Sequence, residues 1–149
     1  MPDEFDELEN EILESMKKIY SETVVDHAMN PRNAKLIQNP DGFGSATSDC
    51  GETIEIRFKA KDNKIIDAAF WTNGCSATVS CGSMASDLIK GEDISQALAI
   101  SQDDIIEALD GLPAGNYHCA LLAANAVKAA VLDYMAIRKE PWKKNYRKC

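Results

Sequence analysis

The sequence predicts an α+β fold, a small three-stranded antiparallel sheet covered on one face by helices, and three observations carry that expectation. Residues 53–60 alternate apolar and polar side chains without a break, the period of a strand with one buried face. A polar turn, Lys61-Asp62-Asn63-Lys64, leads into a second apolar-rich run ending at Thr72, which closes an antiparallel hairpin. Beyond Cys75 the apolar residues recur at helical spacing. Strands first and helices afterwards make an α+β domain. At 149 residues the chain suits a single domain, 1–149, able to bury a core without disulfide or metal staples.

In chain order, Phe5, Leu8, Ile12, Met16 and Ile19 recur at spacings of three and four, the narrow stripe of an amphipathic helix over residues 3–19. Seven acids from Asp3 to Glu14 make residues 1–19 an acidic helical extension, expected to dock on the domain by that stripe. Ser21 caps a second helix that runs to Met29, and Pro31 ends it because the residue before a proline is pushed out of the α region. Residues 43–48, with glycine and serine among them, read as an edge strand. In residues 53–60, Ile54, Ile56, Phe58 and Ala60 face the core while Thr53, Glu55, Arg57 and Lys59 face water. The returning strand, 65–72, is expected to bury Ile66, Ala68 and Phe70, with Trp71 on the opposite face.

Ser76 to Ile89 carries the stripe Ala77, Cys81, Met84, Ala85 and Leu88, with Gly91 as its stop. Short helices follow at 93–99 and 102–109, the second capped by Ser101. Residues 119–137, rich in Ala, Leu and Val, form the longest helix and the expected central packing element. Pro141 interrupts it ahead of a basic tail, 140–149, that holds Trp142 and Tyr146 and has room for one more helical turn.

Composition narrows the function classes. The net charge is -8, with 24 acids against 16 bases, which argues against nucleic acid as a partner. No apolar run is expected to reach the roughly 18–20 residues of a membrane span. An acidic start without an apolar signal core predicts a cytoplasmic protein whose thiols stay reduced. The odd count of five cysteines argues against a disulfide framework. Charge is uneven: Arg138, Lys139, Lys143, Lys144, Arg147 and Lys148 make the C-terminal end basic.

Chemistry concentrates in the cysteines. Residues 111–122 form a turn-rich loop that delivers His118 and Cys119 to the first turn of the longest helix. There unpaired backbone N-H groups and the positive end of the macrodipole favour thiolate over thiol. Cys50 before Gly51 and Cys75 after Gly74 sit at comparable turns. Three thiols converge on a metal if the three turns meet. Spacings of 25 and 44 residues announce no knuckle, and a buried free cysteine is the common alternative, but the turn context favours ligands. Glu52, two residues beyond Cys50, points to the same side of a strand start and offers a fourth, harder ligand. His118 and Cys119 diverge by about 100 degrees on a helix, poor geometry for a base and nucleophile and acceptable for ligands. Cys81 falls in an apolar stripe and reads as core; Cys149 reads as a free terminal thiol; His27 reads as structural or solvent-facing.

The motifs Tyr-Ser-Glu-Thr-Val-Val-Asp-His (Tyr20 to His27), Asn-Pro-Arg-Asn (Asn30 to Asn33), Cys50-Gly51-Glu52, Thr72-Asn73-Gly74-Cys75 and Leu112-Pro113 followed by His118-Cys119 together resemble the U-type iron-sulfur cluster assembly scaffolds, the IscU proteins and the N-terminal domain of NifU. The resemblance runs from Tyr20 to about Lys139, and the Cys75 to Cys119 step is that of the IscU branch. It implies that Cys50, Cys75 and Cys119 hold a nascent [2Fe-2S] or [4Fe-4S] cluster, with Glu52 or His118 as further ligand. It also implies that Cys119 accepts persulfide sulfur from a cysteine desulfurase, that Fe2+ is the iron source, and that apo-proteins receive the product. An electron-donor ferredoxin and a homodimer are further implied partners. The family has Asp where this chain has Glu52. The Leu-Pro-Pro-Val-Lys chaperone signal is reduced to Leu112-Pro113-Ala114-Gly115-Asn116, so the resemblance does not carry an Hsp70-type chaperone with it. The competing expectation is a zinc-stabilised interaction module using the same Cys, His and Glu ligands, since tetrahedral Zn2+ fits them equally well. A thiol redox enzyme would need a resolving cysteine, and no C-x-x-C motif is present.

Overall fold

The structure, a computed structural model, describes residues 4–146. Nine elements follow in order: α1 (Glu4–Ile19), α2 (Glu22–Met29), β1 (Gly42–Thr47), β2 (Thr53–Lys61), β3 (Lys64–Thr72), α3 (Ser76–Ile89), α4 (Ile94–Leu98), α5 (Gln102–Ala108) and α6 (Tyr117–Lys139), with 3-10 turns at Ala114–Asn116 and Pro141–Tyr146. The strands form one antiparallel sheet in the order β1-β2-β3. α6 packs against β1 and β2 and α3 against β3, so the expected α+β layering is present. Cys149, Arg147 and Lys148 lie outside the described residues, as does Asp3.

The alternation in β2 does what its period requires, with Ile54, Ile56 and Phe58 fully buried. Asp62 and Asn63 both take positive φ, 54 and 63 degrees, the pair of left-handed residues that lets a two-residue hairpin follow the strand twist. The expected inward set of β3 is corrected at its start. Ile65, not Ile66, is buried, and Ile66 is 56% exposed. The cause is a bulge: Lys59 pairs with Asp67 while Ala60 pairs with Ile65, leaving Ile66 as the extra residue, which reverses the alternation beyond it. The Ile65 N-H donates to the Glu92 carbonyl at 2.9 Å, and its own carbonyl accepts from Gly91 at 2.8 Å. The side chain is thereby held inward. The face expected to be wet is partly covered as well: the Arg57 guanidinium pairs with Glu55 at 3.0 Å and lies 4.7 Å from the centre of the Phe43 ring.

β1 approaches α6 at backbone distance. A methyl group at Gly44 would lie 2.6 Å from the Ala129 carbonyl carbon and 2.7 Å from the Ala126 carbonyl oxygen, so only glycine fits. The facing side of α6 is correspondingly small or β-branched: Ala123, Ala126, Val127, Ala130 and Val131 are buried. Its length and apolar composition correct one expectation, because the stretch Ala114–Lys139 is long and apolar enough to cross a membrane by those criteria alone. Here its apolar side is covered by the sheet and by α3, α4 and α5.

The docking expected of α1 is also corrected. α1 meets α2, but Leu8, Ile12 and Ile19 are each more than half exposed. α2 turns Val24, Val25 and His27 inward and leaves Glu22 and Asp26 outward, which offers the stripe no apolar seat. α3 is buried more widely than its expected stripe, with Thr78, Ser80, Ser83 and Ser86 also inside. Cys81 is buried in the core cluster.

His27 is buried, and its Nδ1 lies 2.7 Å from the Ser83 hydroxyl oxygen, which accepts from the Arg32 N-H at 2.8 Å. The hydroxyl proton is then available to Nδ1, an arrangement that requires a neutral ring. Burial, aided by the Arg32 charge, pushes the imidazole below its ordinary value. Because the folded state resists protonation more than the unfolded chain, the unfolded state binds more protons as pH falls below about 6.5. Stability is thus fully present above that pH and declines beneath it. Urea titrations between neutral and mildly acidic pH will show this loss, and the His27→Gln protein will show a flatter dependence.

Candidate metal centre

Three turns and two helix starts meet at one end of the molecule. After β1 the chain makes a tight turn in which the Ser48 N-H donates to the Glu52 carbonyl at 2.8 Å and the Gly51 N-H to the Ser48 carbonyl at 3.0 Å. Gly51 sits at φ +90 degrees, a conformation glycine alone adopts cheaply. The Ser48 hydroxyl lies 3.1 Å from the Cys50 sulfur and accepts the Glu52 N-H at 3.2 Å. The turn after β3 is tied to the first one, since Asn73 Oδ1 accepts the Thr53 N-H at 2.8 Å. Cys75 then occupies the N-cap of α3, and His118 and Cys119 lie in the first turn of α6. Two helix dipoles present their positive ends here, which suits anionic ligands.

Of the residues singled out in the sequence, Cys50, Glu52 and His118 have ligand atoms all within 4.8 Å of one another. His118 Nε2 stands 3.7 Å from Glu52 Oε2 and 3.6 Å from the Cys119 sulfur. Cys75 and Cys119 fall outside that tight trio; Cys119 meets it at His118, and both sulfurs meet it through Thr78. The Thr78 hydroxyl lies 3.5 Å from the Cys75 sulfur, 3.4 Å from the Cys119 sulfur and 3.2 Å from Glu52 Oε2. Thr78 was not singled out from the sequence. The available signal was its position three residues beyond the helix-capping Cys75, which places both on one face of the first turn. A methyl group at Gly74 would strike the Thr78 side chain at 2.6 Å, so the glycine before Cys75 keeps this hydroxyl in place.

Cys50 and Cys75 are exposed, whereas Cys119 is buried. The expectation that the helix start makes Cys119 a ready thiolate is therefore corrected. Burial is the largest influence and pushes its thiol up, the neighbouring Cys75 and Glu52 charges add to that, and hydrogen bonds from Thr78 and Asn116 only partly oppose it. The sulfur is buried, and burial disfavours the charged form of a thiol. A cation bound among Cys75, Cys119 and Glu52 would favour the ionised form of each. Tyr20, at the α1–α2 junction, has its phenol pushed up by burial and then by the Cys75, Cys119 and Cys81 charges, so that junction lies within electrostatic reach of the thiols.

Residues 19–141 match the family model described as NifU-like N terminal domain. The chain belongs to this family. Among relatives of the NifU-like domain, the iron-sulfur cluster assembly scaffold protein IscU 1 of Archaeoglobus fulgidus is 44% identical over 117 residues, covering 78% of this chain and 76% of the relative. The iron-sulfur cluster assembly scaffold protein IscU of Escherichia coli is 39% identical over 125 residues, covering 80% of this chain and 97% of the relative. The N-terminal structure of a NifU-like protein from Brucella abortus superposes with a TM-score of 0.51 at 17% identity, over 89% of this chain and 99% of that one, a likeness of fold. All of α1 but its last residue precedes the matched NifU-like segment.

Proposed function

We propose that this protein is a scaffold on which iron-sulfur clusters are assembled from ferrous iron and persulfide sulfur and then passed to apo-proteins. The observation that carries the reading is the gathering of Cys50, Glu52 and His118 beside two further thiols that share the Thr78 hydroxyl, in a chain whose relatives bear the scaffold name. Cys50, Cys75 and Cys119 would hold the nascent [2Fe-2S] cargo, with Glu52 and His118 competing for the remaining iron site. Carboxylate and imidazole exchange on iron more readily than thiolate. Three thiolates with one such ligand therefore hold a cluster that can still be released.

In the proposed order, Fe2+ enters at the exposed Cys50 and His118 and the half-buried Glu52. The Cys119 thiolate attacks the outer sulfur of a desulfurase persulfide, forming a new S-S bond on Cys119 and releasing the donor's cysteine thiolate. Two electrons, supplied by a ferredoxin-type donor, then cleave that bond to sulfide and thiolate. Since Cys119 is buried under His118 and Thr78, delivery needs the preceding turn to open. That turn holds Gly111, at φ +98 degrees, and Gly115, and neither has an atom within 4 Å of where a β-carbon would stand. The cluster leaves by ligand exchange onto an acceptor, without turnover of a small molecule.

Anaerobic reconstitution with ferrous iron and sulfide tests the reading. Visible absorption from sulfide-to-iron charge transfer, followed by gain of activity in an added apo-ferredoxin, is the expected result. The zinc-module alternative uses the same ligands and gains no support from the scaffold relatives; a reconstituted protein lacking the charge-transfer bands would restore it. Replacing Glu52 by alanine should leave a cluster that is kept longer, because the more exchangeable ligand is gone. Transfer to apo-ferredoxin will slow by about ten-fold if that one contact sets an increment of about 1.4 kcal/mol in the release barrier.

A further inference from the structure

Two amphipathic surfaces are left uncovered within one chain, and they match each other. On α1, Leu8, Ile12, Ser15 and Ile19 follow one another at steps of four, three and four residues, and all four are exposed. On the outer side of α6, Leu121, Asn125, Lys128, Leu132, Met135 and Lys139 repeat the same alternation of four and three, and each is exposed. This is the seam period of packed helices. Leu8 and Ile19 are eleven residues apart, as are Leu121 and Leu132, so both outer pairs of an antiparallel alignment meet together.

Charge selects the direction. The acids of α1 crowd its first two-thirds, with Lys17 and Lys18 at its end, whereas the bases of α6 lie at Lys128, Arg138 and Lys139. An antiparallel pairing sets Glu11 beside Lys128 and Glu4 near Lys139. A parallel one would bring Lys17 and Lys18 against the basic end, at a repulsive cost.

We infer that α1 of one copy lies antiparallel along the exposed seam of α6 in a second copy, and that the exchange is reciprocal, giving a two-fold dimer. Reciprocity follows from symmetry: each copy carries one acidic donor helix and one basic acceptor seam, and closing both at once leaves neither exposed. The acidic extension, which falls outside the scaffold family's matched segment apart from its last residue, then has a defined role as a dimer arm. This inference is independent of what the thiols hold.

Sedimentation velocity on the full chain, over a dilution series, tests it. The unaltered protein should sediment as a dimer that dissociates on dilution and more readily at high salt. Leu8→Glu, on an exposed position that this alignment sets against Leu132, should give a monomer with an unchanged urea midpoint. Lys128→Glu with Lys139→Glu should weaken dimerisation by on the order of ten-fold, and adding Glu4→Lys with Glu11→Lys should restore it. An unaltered protein that stays monomeric throughout, including one whose α1 lies on its own α6, overturns the inference. So does a dimer indifferent to Leu8→Glu, or a ladder of higher oligomers in place of a closed pair.

Discussion

Cys119→Ser protein, incubated with a cysteine desulfurase and cysteine and then examined by intact-mass spectrometry under non-reducing conditions, will carry no bound persulfide. The effect is expected to be complete, because a serine hydroxyl is not ionised near neutral pH and does not attack the outer sulfur of a persulfide at a useful rate. Cys119 is the thiol that Thr78 and His118 both approach, at 3.4 and 3.6 Å, so a sulfur placed there lies beside the trio of Cys50, Glu52 and His118. Substituting Cys81 by alanine supplies the control. That thiol is buried in the core, where desolvation pushes it far above the ordinary range, and loading should be unchanged. Undiminished sulfur on the Cys119→Ser protein would move the acceptor role to the exposed Cys50 or Cys75. The raised Cys119 thiol adds a pH sign to the same experiment. Loading should accelerate as pH rises, since thiolate is the attacking form, and it should do so at higher pH than an exposed thiol requires.

Gly44→Ala will destabilise the fold by about 3 kcal/mol, at the upper end of what overpacking usually costs. The added methyl group meets peptide atoms of Ala126 and Ala129, and backbone cannot turn aside as a flexible side chain can. β1 must either lift from α6 or leave its pairing with β2, where Gly44 stands opposite Ile56. Urea denaturation should show a lower midpoint with an unchanged slope. Gly115→Ala is the comparison, because nothing lies within 4 Å of where the added methyl group would stand and the expected change is within about 0.5 kcal/mol. Equal midpoints for the two variants would mean that the β1–α6 approach is looser than described.

Periodicity made much of this architecture legible before any coordinates. The alternation of Ile54, Ile56 and Phe58 set the inward face of β2, Ser21 and Ser101 capped their helices where expected, each accepting a helix N-H at 3.1 and 3.2 Å, and Pro31 followed the end of α2. Where periodicity failed, a non-local contact overruled it. Ile65 turned inward because the chain near Gly91 and Glu92 pairs with it. α1 kept its stripe exposed because its neighbour offered acids. α6, expected over 119–137, runs two residues further at each end, Tyr117–Lys139.

The identities of Cys50, Glu52, Cys75, His118 and Cys119, and their placement at turns and helix starts, were determined by the sequence, because those are local preferences of a few consecutive residues. Their distances were not. Which sulfur is wet and which is dry, and that the Thr78 hydroxyl joins two of them to Glu52, was decided by the packing of α3 and α6 on the sheet. Burial depends on what the rest of the chain places around a group, and burial is what pushes the Cys119 thiol up at a helix start.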